Sequence, residues 1–163
     1  MTIVRVRDYM VLEVEHVSST TTVGETIDRL MRSRHHGMPV TDPDGKLVGF
    51  VSAKELLRHC DERSLPLGKI IRRGTYTATP DMALDDVARI MFRFGLRDLP
   101  ITDEAGVLCG IVSNLDIVRS HFERANPAKA ETLKNLMAER YQLPFTFRRG
   151  LVPIDRLLSL IHI

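Results

Sequence analysis

The sequence predicts an α/β fold of the α+β kind: two copies of a β-α-β-β-α unit, packed sheet to sheet with pseudo-twofold symmetry. A C-terminal helix and an extended tail follow them. Three observations lead there. GMPVTDPDGKLVGFVSAKEL at residues 37–56 recurs as DLPITDEAGVLCGIVSNLDI at residues 98–117, an offset of 61 residues. Each copy is preceded by apolar residues at helical spacing. Each contains two apolar runs joined by a short Gly-bearing turn, DPDG or DEAG.

Each unit opens with a short extended piece, Val14–Val17 in the first copy and Thr75–Ala78 in the second. A Ser/Thr-rich turn (Ser18–Thr22) or a Thr-Pro-Asp turn (Thr79–Asp81) then starts a helix. Val23, Ile27, Leu30 and Met31 share one face of the first helix, and Leu84, Val87, Ala88 and Met91 share one face of the second. Hairpins follow, Met38–Thr41 to Leu47–Val51 and Leu99–Thr102 to Leu108–Val112, and a last helix opens at Ser52 or Ser113. One such unit cannot cover both faces of so small a sheet, whereas two packed together can. Residues 1–61 therefore form the first copy, 62–122 the second, and 123–163 the C-terminal segment.

Composition narrows the class. Of 163 residues 44% are apolar and 27% charged, with a net charge of +2, which excludes disorder over most of the chain. No uncharged apolar stretch approaches the ~18 residues of a membrane span. Arg5, Arg7 and Asp8 stand where a signal peptide needs an apolar stretch, so a cytoplasmic protein without a membrane partner is expected. Cys60 and Cys109 lie far apart and read as buried reduced thiols. The charge is uneven: residues 1–120 hold 16 Lys/Arg against 17 Asp/Glu, and residues 121–163 hold 7 against 4. His35, His36, His59 and Cys60 lack zinc-ligand spacing, and no GxSxG elbow or Gly-rich phosphate loop occurs. No metal, cofactor or catalytic residue is expected.

The doubled unit, with xxPhxD before each hairpin and Gly-h-h-Ser-x-x-Asp after the second, resembles a tandem pair of cystathionine-β-synthase (CBS) domains, a Bateman module. The likeness covers roughly residues 3–121. It implies a regulatory module that binds adenosine-containing ligands, AMP, ADP, ATP or S-adenosylmethionine, in clefts between the copies, and that pairs into a homodimer.

The residues support part of this independently. Gly110 permits close backbone approach, and Ser113 opens a helix whose free N–H groups suit an anion. Asp116, one turn in, can accept bonds from a ribose diol. By resemblance Ser113 binds phosphate and Asp116 ribose; Thr77, Ala78 and Leu99 line the adenine pocket, with Asp98, Pro100 and Asn114 in the same site. A basic residue before the proline meets phosphate in the family, and this chain offers Arg97 and His36 there. The plainer alternative is that Ser113 and Asp116 form a helix-capping box, as Ser52 and Glu55 do, and that Arg97 pairs with Asp98 on the surface. In the first copy Glu55 replaces the Asp, displacing the carboxylate by about 1.5 Å. The site at His36, Gly37, Met38, Pro39, Ser52 and Glu55 therefore ranks second. Arg97 favours phosphates over S-adenosylmethionine.

Beyond the copies, Asn126-Pro127 reads as an N-cap and N1 opening a helix to about Tyr141, with Leu133, Leu136 and Met137 on its apolar face. VPIDRLL further on weakly resembles the opening of ParB-type N-terminal domains, and the apolar LLSLIHI end is expected to be covered in an interface. Two other readings stand beside the nucleotide sensor: a DNA-associated regulator using the basic C-terminal segment, and a ligand-free dimerisation scaffold.

Overall fold

The computed structural model describes residues 3–33, 35–71 and 74–129. Residues up to Ser120 form one compact unit. In it β1 (Val17–Ser18) precedes α1 (Val23–Arg32), and β2 (Gly37–Thr41), β3 (Leu47–Ser52) and α2 (Ala53–Arg58) complete the first copy. The second copy contains α3 (Leu84–Phe94), β4 (Asp98–Thr102), β5 (Leu108–Ser113) and α4 (Asn114–Ala125). The first sheet runs β1-β2-β3, with β1 parallel and β3 antiparallel to β2. The second is the antiparallel β4-β5 pair, extended at its edges by isolated bridges from Ala78 to Ile101 and from Val11 to Ile111. The opening extended pieces are thus shorter than the sequence suggests: two residues in one copy and a single bridge in the other.

The hairpins are built alike. Asp42 Oδ1 accepts from the N–H groups of Asp44 and Lys46, and Asp103 Oδ1 from those of Ala105 and Val107, each at 2.9 Å. Both turns close on a glycine at φ +80°, Gly45 and Gly106, a conformation that penalises any residue with a Cβ. The turns also pair with each other: Leu47 N–H donates to Gly106 O at 3.0 Å and Leu108 N–H to Gly45 O at 3.1 Å. Because these two bonds are the same bond offset by 61 residues, they lie on the pseudo-twofold relation that the repeat predicts.

Each copy has its own core. The first gathers Val17, Val23, Met38, Val40, Val51 and Leu56 with Leu67; the second gathers Ala78, Leu84, Val87, Leu99, Ile101 and Val112 with Val6. Leu67 and Val6 are equivalent positions, and each lies in the core of the other copy's sequence segment. Leu84 N–H donates to Val4 O, Val6 N–H to Met82 O and Arg7 N–H to Pro80 O. In the matching set, Val23 N–H donates to Leu65 O, Leu67 N–H to Thr21 O and Gly68 N–H to Ser19 O. The stretch that precedes each copy in sequence therefore completes the opposite one. Gly110 serves this exchange, since a Cβ there would meet Met10 Sδ at 2.8 Å. Its close backbone approach is to the N-terminal segment rather than to a ligand.

Several expectations are corrected. Met31 does not join the apolar face of α1 but is 75% exposed, because α1 turns only Val23, Ile27 and Leu30 toward the core. Cys60 is exposed at the end of α2, whereas Cys109 is half-buried, donates weakly to Ile101 O at 3.5 Å, and has its pKa raised by burial and then by Asp103. α4 stops at Ala125, with Asn126 N–H on Phe122 O, and residues 127–129 restart as helix. The remainder of that helix, the ParB-like stretch and LLSLIHI lie outside the described residues. Among the described residues no helix is long and apolar enough to cross a membrane.

Candidate functional site: a cleft between the two copies

A cleft of about 530 Å³ opens where the end of β3 and the start of α2 in the first copy face the segment before β4 in the second. From the first copy it takes His36, Phe50, Ser52 and Lys54; from the second it takes Tyr76, Leu96, Arg97, Asp98 and Leu99. Local chain geometry explains these positions. Proline at 39 and at 100 holds Met38 and Leu99 extended, and His36 and Arg97 lie immediately before the first residues of β2 and β4. Cross-strand pairing sets Gly37 beside Ser52 and Asp98 beside Ser113. Ala53 N–H then donates to His36 O, and Asn114 N–H to Arg97 O, each at 2.9 Å. Each pre-proline segment is thus tied to a helix start of its own copy.

The cleft draws on both sequence-predicted sites at once. Arg97, Asp98 and Leu99 come from the set assigned to the second copy, His36 and Ser52 from the set assigned to the first. Gly37, Met38 and Pro39 are buried in β2, and Pro100 is buried in β4. Ala78 is core, held by its bonds to Pro100 O and from Thr102 N–H, while Thr77 is exposed outside the cleft lining. Glu55 caps α2: its carboxylate accepts from Ser52 N–H at 2.9 Å and from Ser52 Oγ at 3.0 Å.

Ser113 and Asp116 form the same box at the start of α4, where Asn114 is exposed. Asp116 Oδ2 accepts from Ser113 N–H at 2.8 Å and from its hydroxyl at 2.7 Å, and Asp116 N–H reaches Ser113 Oγ at 3.4 Å. Asp116 is only 4% exposed, and its Oδ1 lies 3.9 Å from Arg119. Both capping geometries follow directly from Ser-x-x-Glu and Ser-x-x-Asp.

Charge in the cleft is mostly positive. His36, Lys54 and Arg97 line it against one carboxylate, Asp98. Burial raises the pKa of Asp98 above its ordinary value; His35 and His36 pull it down, Asp116 pushes it up, and Arg97 pulls it down. Sequence reasoning missed Lys54, Phe50, Tyr76 and Leu96. No local motif marks them, because their neighbours in the cleft come from the other copy. His35, one residue before the cleft, instead pairs with Glu15 at 3.3 Å, and His59 with Glu62 at 3.2 Å. Among the described residues no three His, Cys, Asp or Glu side chains converge on one point.

The sequence profile described as the CBS domain matches residues 6–62 and again residues 67–123. An uncharacterized protein of Methanocaldococcus jannaschii is 38% identical over 130 residues, covering 80% of this chain and 49% of that protein. An A-adding tRNA nucleotidyltransferase of Aquifex aeolicus is 34% identical over 125 residues, 71% of this chain and 14% of that enzyme. The chain thus spans about half, or much less, of the length of these curated relatives. Among solved structures, CBSX2, a CBS-pair protein of Arabidopsis thaliana, is similar in its complex with AMP. The TM-score is 0.69 at 25% identity, covering 74% of this chain and 98% of that one. The CBS domain pair of the protein MJ0100, solved with 5′-methylthioadenosine and S-adenosyl-L-methionine, gives a TM-score of 0.67 at 24% identity over 76% of this chain and 99% of that one, a likeness of fold.

Proposed function

Because the chain belongs to the CBS-domain family, with two such domains in tandem, we propose that it is a non-catalytic regulatory module that binds adenosine phosphates in the cleft between its copies. The observation that carries this is the lining itself. The cations Lys54 and Arg97, with His36, offer donors to phosphate oxygens, the Ser52 hydroxyl does so once it leaves the Glu55 carboxylate, and Leu96, Leu99 and Phe50 supply an apolar wall. The AMP bound by CBSX2 supports the same ligand class. A sulfonium ligand would bring positive charge to three basic side chains, so AMP, ADP or ATP is favoured over S-adenosylmethionine.

The mechanism in this reading is linkage. A ligand that touches both copies stabilises whichever arrangement closes best around it, and a coupling of about 1–3 kcal/mol suffices to regulate a protein partner. Ser113 and Asp116 belong to the reading as phosphate and ribose contacts of a second ligand, which competes for the bond they make to each other. A second copy of the chain is the structural partner. Met31 and Phe92 are equivalent positions, 75% and 92% exposed, and so are Leu57 and Val118, at 72% and 62%. Large apolar side chains left in water at both members of two equivalent pairs support a twofold-related mate. Sedimentation equilibrium should find a dimer that Phe92→Glu weakens at least tenfold; a monomeric wild type would overturn this.

A thermal-shift panel of AMP, ADP, ATP and S-adenosylmethionine tests the ligand reading. A bound nucleotide at a hundred times its Kd stabilises by about 2.7 kcal/mol, a rise of about 5–10 °C in Tm. Arg97→Ala should shrink the rise. Unchanged melting with all four ligands would overturn the sensor reading in favour of a scaffold. Asp116→Ala should cost about 1 kcal/mol of cap stability; if it binds nucleotide as wild type does, Ser113 and Asp116 are a cap only.

A further inference from the structure

The cleft contains one aromatic side chain whose environment the fold does not require. Tyr76 lines it and is 48% exposed. Its ring is stacked on Phe94, with centroids 4.4 Å apart and planes 22° from parallel. Phe94 is not part of the lining, so it backs Tyr76 from outside the cleft, and Arg93 lies over Phe94 at 5.8 Å from the ring centroid. The ring plane of Tyr76 is therefore fixed by a neighbour before any ligand arrives.

The first copy shows that this aromatic pair is not scaffold. The positions equivalent to Tyr76 and Phe94 are Glu15 and Ser33. The position equivalent to Leu96 is His35, and Glu15 and His35 form an ion pair at 3.3 Å. One copy thus folds with Glu15 and Ser33, the former paired to His35, where the other keeps two half-exposed rings. An exposed ring pair leaves apolar surface in water and gains only part of the burial that makes aromatic residues useful in cores. A planar ligand would complete it.

We propose that Tyr76, braced by Phe94, is the platform on which the base of the bound nucleotide stacks, and that the phosphates run from there toward Ser52, Lys54 and Arg97. This rests on the nucleotide reading above and adds two things to it. Base contact is through a ring face, so the cleft accepts any purine base more readily than a base-free phosphate. The aromatic platform exists in one copy alone, so one such nucleotide binds per chain.

Calorimetric titration of the full chain with AMP, ATP, GTP and ribose 5-phosphate tests this. Stacking on an aromatic ring is worth about 1–3 kcal/mol per base by alanine substitution, a factor of about 5–150 in Kd. Tyr76→Ala should weaken AMP and ATP at least fivefold while leaving ribose 5-phosphate unchanged, and Tyr76→Phe should bind as wild type. The chain has no Trp and three Tyr, so nucleotide quenching of tyrosine fluorescence should be seen in wild type and fall sharply in Tyr76→Phe. Should wild type bind no nucleotide, the underlying reading fails. Should wild type bind and Tyr76→Ala bind equally well, the platform is wrong. Equal losses for AMP and ribose 5-phosphate would also overturn it, since Tyr76 would then only shape the cleft. A stoichiometry of two equivalent nucleotides per chain would refute the single platform.

Discussion

At Pro39 and Pro100, Asp42 and Asp103, Gly45 and Gly106, and Ser52 and Ser113, the two copies carry the same residue. At most of the cleft they do not. Tyr76 stands opposite Glu15 in the repeat, Leu96 opposite His35, Asp98 opposite Gly37, and Lys54 opposite Leu115. The shared positions build turns, caps and strand starts, which both copies need for one and the same backbone. Of the differing positions only Gly37 is tied to its strand, since a Cβ there would meet Val51 O at 2.5 Å; the first copy folds without the rings and the second without the Glu–His pair. The repeat is thus symmetric in its turns and caps and asymmetric along most of the cleft lining.

The widest test of that symmetry targets the exchanged segments. Val6 and Leu67 are both fully buried, each in the core of the copy it does not precede. Leu67→Ala should cost about 3 kcal/mol and Val6→Ala about 2 kcal/mol by urea unfolding. Hydrogen exchange should show the first falling on the first copy and the second on the second copy. If each substitution instead loosens its own sequence copy, the reciprocal packing is wrong.

A smaller and more local test breaks the asymmetry at Asp98. Burial raises its folded-state pKa above the unfolded value, so the stability it contributes is complete below pH ~4 and is lost as pH rises through that raised value. At pH 7 the half-buried charge is a net cost, which the Asp116 carboxylate adds to and Arg97 offsets. Asp98→Asn should therefore raise Tm by about 2 °C at pH 7 and by nothing near pH 4. With the carboxylate gone from a cleft lined by Lys54 and Arg97, ATP should also bind about two- to fivefold more tightly. An unchanged Tm across this range would show that partial burial of Asp98 does not penalise its charge.

Much of this was legible in the sequence, for a physical reason. Turn and cap chemistry is local: Asp-x-x-Gly and Ser-x-x-Glu satisfy backbone groups within four residues, so their spacing reports their structure. The offset of 61 then carried each local inference from one copy to the other. What escaped was non-local. Ser52 and Arg97 line one cleft only because two copies pack together, and no short window contains both. Met31 falls on the apolar stripe of α1 by periodicity, yet the stripe is wider than the core it covers. The exchange of Val4–Met10 with Leu65–Ile71 is visible in hindsight as Val-x-Val against Leu-x-Leu, but two apolar residues say nothing about which copy they enter.

That exchange sets an order of events during synthesis. The first copy has every strand, helix and complementary segment it needs once the ribosome has passed residue 71. The segment that completes the second copy is made before either copy and must wait until its partners at Pro80, Met82 and Leu84 emerge. Until then Val4, Val6 and Met10 have no core to enter, and the nascent chain carries them exposed. The last step is the return of Val4–Val11 to Pro80–Leu84 and Ile111, a long loop closure that is slow for entropic reasons. Anything that delays it, such as a bulky fusion ahead of Val4, should leave the second copy half-built while the first is already native.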